Sequence, residues 1–91
     1  MSTKTRYYSQ KLTASATEQT FDLPRLSFVR VLNYGNEDVL IEFDNDINDN
    51  SVILPVRGDI QIPADLLNLH YKVNSGSSAS LYIYGLKHIK S

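Results

Sequence analysis

Hydrophobic and polar positions alternate along much of this chain. Val39, Ile41 and Phe43 alternate with Leu40, Glu42 and Asp44, a period of two that predicts a strand with one buried face. Leu69, Tyr71 and Val73 repeat the pattern between His70, Lys72 and Asn74. Leu81 and Ile83 do so again, with Tyr82 and Tyr84 on the opposite face. The densest run of β-branched and aromatic residues is 26–32, the strongest predicted strand. The turn-forming residues 33–38 predict that it folds back onto 39–44 as a hairpin.

Weaker strands are predicted at 5–14, as an edge strand, and at 17–23, with Phe21 and Leu23 on one face and Pro24 as its stop. Short strands follow at 51–54, closed by Pro55, and at 60–63. Residues 75–78 turn the chain into a last strand at 80–86. Residues 64–68 are the one helical suspicion, and they make a single turn at most. About seven or eight short strands between turns predict an all-β fold, a small antiparallel β-sandwich of jelly-roll type or a small barrel. The chain reads as one domain over 1–91, with residues 1–11 as a candidate extended arm.

Composition sharpens this picture in two ways. A domain of 91 residues buries only about 60–65% of its unfolded surface, and with no cysteine it has no disulfide or thiolate metal site to staple it. Assembly with other subunits is therefore an expected source of stability. The polar start of the chain predicts no signal peptide, and no apolar run approaches the roughly 18 residues of a membrane helix. Folding in a cytosol and no membrane insertion are the corresponding expectations.

The net charge of −1 gives no support to general polyanion binding, so no specific nucleic-acid partner is expected. The distribution says more. Lys4, Arg6 and Lys11 stand near the start without an acid among them. Glu37, Asp38, Glu42, Asp44, Asp46 and Asp49 follow without a base, and Lys87, His88 and Lys90 close the chain. Basic ends around an acidic middle are suited to steering head-to-tail or partner docking, with Lys4, Arg6 and Lys11 as the docking arm.

Candidate chemistry is sparse. Arg57-Gly58-Asp59 matches an adhesion tripeptide but reads as a tight turn, with Gly58 supplying the permissive backbone. Residues 44–50 carry alternating oxygen donors like a calcium loop. The EF-hand pattern then needs Gly sixth and Glu twelfth, where this chain has Asp49 and Pro55. An exposed acidic loop is the reading, and no metal or cofactor is expected. His70 and His88 read as surface residues, and neither a nucleophile elbow nor a phosphate-cradling glycine loop is present. No catalytic residue is therefore assigned, and the chain is expected not to be an enzyme. Tyr7, Tyr8, Tyr71, Tyr82 and Tyr84 are the candidate interface, because tyrosine joins an apolar body to a polar tip.

The order of segments 28–44, 53–62, 69–76 and 79–85 resembles small β-sandwich virion proteins of bacteriophages. In those, a Leu-Pro-x-Gly-acid-x-Ile turn sits mid-chain and a glycine hairpin precedes the last strand. Here Val56 and Arg57 separate Pro55 from Gly58, so the mid-chain turn is longer than the shortest family version. The resemblance implies a non-enzymatic, oligomeric, capsid-associated subunit of decoration, cement or spike-base type. Its implied partners are its own copies and other virion proteins such as the major capsid protein. Its implied location is the virion, assembled in the host cytoplasm. The alternatives are a carbohydrate- or host-surface-binding module and a tail or fibre component.

Overall fold

The computed structural model describes the backbone of residues 3–26, 28–62 and 66–90, and the side chains of all of these except 3–6 and 87–90. Eight strands form: β1 (Thr3–Ser15), β2 (Gln19–Asp22), β3 (Phe28–Asn33), β4 (Val39–Phe43), β5 (Val52–Leu54), β6 (Asp59–Ile62), β7 (Asn68–Val73) and β8 (Ser78–Lys90). A front sheet has the order β1-β8-β3-β6 and a back sheet the order β2-β7-β4-β5. Two four-stranded antiparallel sheets in this order make the double Greek key of a jelly roll. The described part of 64–68 is not helical: Leu66 and Leu67 form a bend leading into β7, and residues 63–65 lie outside the described residues.

The alternation predicted from sequence sets the faces. Val29 and Val31 of β3 and Leu81 and Ile83 of β8 point inward from the front sheet, each at most 1% exposed. Val39, Ile41, Leu69, Tyr71 and Val73 meet them from the back sheet. Burying each such side chain is worth roughly 1.5–3 kcal/mol, so this layer holds the sandwich together.

The predicted hairpin of residues 26–32 with 39–44 does not form. β3 pairs with β8 and β6, whereas β4 pairs with β7 and β5. The intervening turn crosses from one sheet to the other, and Asn33 fixes that crossing. Asn33 is fully buried. Its Nδ2 donates to the carbonyls of Glu37 at 2.8 Å and Leu54 at 3.0 Å, and its Oδ1 accepts from Gly35 N–H at 3.0 Å. One side chain at the end of a front strand thereby holds the last residue of a back strand.

Two backbone positions depend on special residues. A Cβ on Gly85 would stand 2.2 Å from the Phe28 carbonyl oxygen, so glycine is what lets β8 lie close to β3 there. In the turn over 55–58, Gly58 N–H donates to the Pro55 carbonyl at 2.8 Å. The left-handed residue of that turn is Arg57, at φ 66°, and not Gly58 as the sequence led us to expect. Gly58 is required for space instead, since a Cβ would meet the Pro55 ring at 2.8 Å.

β1 and β8 pair over their full length, from Thr3 opposite Lys90 to Ser15 opposite Ser78. β3 reaches only as far as Phe28 opposite Leu86. Residues 3–6 and 87–90 therefore continue as a two-stranded ribbon past the end of β3, in a molecule 49 × 23 × 17 Å. Residues 3–11 of the stretch predicted as an extended arm are thus part of β1, paired along β8.

Candidate functional site

The outer face of the front sheet gathers aromatic side chains into one line. Tyr82 and Tyr84 alternate with buried Leu81 and Ile83, so both point outward. The register sets Tyr82 between Lys11 and Leu32, and Tyr84 between Ser9 and Arg30. Tyr7 packs on Tyr84 with ring centroids 6.1 Å apart, Tyr84 on Tyr82 at 5.7 Å, and Tyr82 on Tyr34 at 6.2 Å. Neighbouring planes are turned by 39°, 69° and 67°, the tilted and edge-to-face contacts that aromatic quadrupoles favour. The Arg30 guanidinium lies over the Tyr84 ring at 5.4 Å, while its Nε donates to Asp59 Oδ2 at 2.6 Å. That hydrogen bond raises the Arg30 pKa further. Desolvation against the sheet, with the charges that Tyr82 and Tyr84 would carry, raises that of Tyr7.

The ladder runs into a groove of about 420 Å³ lined by Leu32, Tyr34, Gly35, Val56 and Arg57, among others. Tyr7 and Tyr34 remain 65% and 45% exposed. Tyrosines and an arginine on an open sheet face are the residue types that dominate protein interfaces.

Three of the five tyrosines expected at an interface belong to this line: Tyr7, Tyr82 and Tyr84. Tyr71 does not. It is 6% exposed and faces the core from β7, so no partner reaches it while the sandwich is closed. Tyr8 also turns inward and packs against the core, because it alternates with Tyr7. Burial raises the pKa of both. Tyr34 is the member that the sequence did not reveal. It stands in a turn, and only the β3–β8 register brings it beside Tyr82. Of the expected docking arm, Lys11 is exposed on β1, whereas the side chains of Lys4 and Arg6 lie outside the described residues.

The outer face of the back sheet has different chemistry. His70 projects from β7, yet it is not the free surface residue that its pattern predicted, since its side chain is only 13% exposed. Its Nδ1 lies 2.9 Å from Glu18 Oε2, 3.3 Å from Thr20 Oγ1 and 3.6 Å from Asp46 Oδ1. Hydroxyl and carboxylate crowd the same ring nitrogen. A nucleophile–base–orienter relay needs them on opposite nitrogens, so this is not relay geometry. The ligand atoms of Glu18, Asp46 and His70 lie within 4.8 Å of one another, so among the described residues these three form a group able to hold a divalent cation. His88 has its side chain outside the described residues.

The acidic loop and the Arg-Gly-Asp triplet both have structural duties. Asp44, itself left-handed at φ 63°, accepts the N–H groups of Leu67 and Asn68 through Oδ1, each at 2.9 Å. Asn48 Oδ1 accepts from Asn50 N–H, and Asn48 Nδ2 donates to the Asp46 carbonyl. Asp59 is committed to Arg30.

No known family's sequence profile matches this chain, and no curated protein sequence does either. Solved structures do share its architecture. HppE in its apo form superposes with a TM-score of 0.60 at 8% identity over 87% of this chain. A conserved protein of unknown function from Pseudomonas aeruginosa PAO1 does so at 0.61 and 14% over 94%. The chain spans only 41% and 42% of those two proteins. A subunit of Bacillus endospore appendages, described as disulfide-linked pili, superposes at 0.55 and 8% identity, covering 97% of this chain and 89% of that one. A structural protein of Sulfolobus turreted icosahedral virus aligns more loosely, at 0.46. At these identities the likeness shows the fold alone: this chain is a small antiparallel β-sandwich of jelly-roll topology.

Proposed function

We propose that this chain is a non-enzymatic structural protein of a bacteriophage particle, an oligomeric capsid-associated subunit of decoration, cement or spike-base type. The observation that carries the reading is the ladder Tyr7–Tyr84–Tyr82–Tyr34 with Arg30 over Tyr84. An exposed line of mutually packed aromatics is preordered for a protein partner, because little side-chain entropy remains to be lost on binding. Its tilted ring planes do not form the flat platform on which successive sugar rings would stack, so a protein partner fits better than a glycan. The order of strands and turns that resembles phage virion sandwiches supports the same reading. With no cysteine in the sequence, a disulfide does not join its subunits.

Sedimentation at micromolar concentration tests this. The expected result is an oligomer that becomes monomeric in a Tyr82→Ala/Tyr84→Ala variant with unchanged far-ultraviolet circular dichroism. A wild-type chain that stays monomeric and does not bind phage capsids overturns it.

A further inference from the structure

Charge in this protein is sorted by strand. β1 and β8 together carry Lys4, Arg6, Lys11, Lys87 and Lys90 and no acidic residue at all. The rest of the chain carries all ten acidic residues against Arg25, Arg30, Arg57 and Lys72. The register concentrates this further. Lys4, Arg6, Lys87, His88 and Lys90 all occupy the part of the β1–β8 ribbon that runs past β3. On the back sheet, Glu42 is paired opposite His70 and Asp22 opposite Asn68, and the carboxylates of Glu18 and Asp46 close on His70. Lys72 is the one cation on the described strands of that sheet. Beside the acids, Leu40 and the half-exposed Ile53 are register partners on the same sheet.

One copy therefore has a basic ribbon bearing Tyr7, Tyr82 and Tyr84, and an acidic sheet face with an apolar strip. The two are complementary in both charge and apolar character. Like charges keep ribbon from ribbon and acidic face from acidic face, which disfavours a two-fold contact of either surface with itself. From this we infer that the β1–β8 ribbon of one copy docks on the acidic outer face of the back sheet of the next. The contact is heterologous: each subunit offers one surface forward and a different one backward, so it generates a ring or an open filament. This inference rests on the assembling-subunit reading and supplies the partner surface that reading leaves open.

Two charge-reversed full-length variants test it by sedimentation at low salt. K4E/R6E/K11E spoils the ribbon, and E18K/E42K/D46K spoils the acidic face. Each alone is expected to weaken self-association at least about tenfold, the combined worth of a few exposed charge pairs. An equimolar mixture is expected to regain assembly, because each variant's altered surface then meets its complement. Circular dichroism of each variant checks that the sandwich is intact, and the regain on mixing cannot come from unfolded chains. If wild type assembles and the reversals do not matter, or the mixture stays dissociated, the inference falls while the assembling-subunit reading stands. If wild type never assembles, the inference falls, and the subunit reading falls with it when the chain also fails to bind phage capsids. Duplex DNA is added in a separate arm. Tight retention by wild type, lost in K4E/R6E/K11E without any effect of E18K/E42K/D46K, would assign the ribbon to a nucleic acid and overturn the inference.

Discussion

The outer faces of the two sheets are built on the same alternation, yet they differ in what they do with it. On the front sheet the outward positions include Tyr82, Tyr84 and Arg30, which pack on one another, and Leu32, the register partner of Tyr82. On the back sheet they include Thr20, Glu42 and His70, where carboxylates converge on one ring nitrogen. Aromatic packing works by dispersion and quadrupole and survives salt, whereas the acidic face works by charge and is screened over about 10 Å at 0.1 M salt. The same core thus carries one face suited to tight contact and another suited to steering.

The most damaging way to break this comparison is to unlink the sheets. Asn33→Ala leaves the buried carbonyl of Leu54 without the side-chain donor that ties it to the front sheet. We expect a loss of about 3 kcal/mol, read from the urea midpoint, with both faces lost together. Gly85→Ala acts on the front sheet alone, since its Cβ would meet the Phe28 carbonyl oxygen at 2.2 Å. A loss of about 2 kcal/mol is expected, with hydrogen exchange rising first along β3 and β8.

Alkali probes the two sheets differently. Tyr7 and Tyr8 of the front sheet and Tyr71 of the back sheet have raised pKa values. The folded state then keeps protons that the unfolded chain releases, so stability is complete below about pH 10 and falls as pH rises through the folded-state values. Tyr71→Phe should flatten that fall in urea titrations from pH 8 upward. An unchanged slope would assign the alkaline weakness to the front sheet.

Smaller effects separate the faces themselves. Glu18→Gln weakens a partly buried contact to His70, and about 1 kcal/mol or less should be lost. Arg30→Gln removes a salt bridge whose partners are 41% and 38% exposed. About 0.5 kcal/mol is expected, with a larger effect on self-association than on the unfolding midpoint.

Strand positions and their inward faces were legible because burial on one side of a strand writes a period of two into the residues themselves. Val39, Ile41, Leu69, Tyr71, Val73, Leu81 and Ile83 were all placed inward by that rule and are inward or core-forming in the fold. The hairpin of 26–32 with 39–44 failed because a turn sequence records that the chain reverses, not which strand receives it. Here β4 and β5 are the one consecutive pair joined by hydrogen bonds, and every other connection passes between sheets. Three of the four members of the aromatic line were visible, as Tyr7, Tyr82 and Tyr84. Tyr71 was wrongly joined to it because two strands with the same alternation lie on opposite sheets. His70 was read as free because Glu18 and Asp46, distant in sequence, close over it only after folding.

By itself, the sequence determined an all-β fold of short strands, sandwich or barrel, without staples, basic at its ends and acidic in its middle. Those features are local, carried by residue type and by spacing of one or two positions. Only the tertiary structure decided that the two basic ends lie side by side, as β1 paired with β8, and that Tyr7, Tyr84, Tyr82 and Tyr34 fall into one line. Both outcomes depend on which strands are neighbours and in what register. That choice is made by burying two apolar faces against each other at once, and no short stretch of chain contains it.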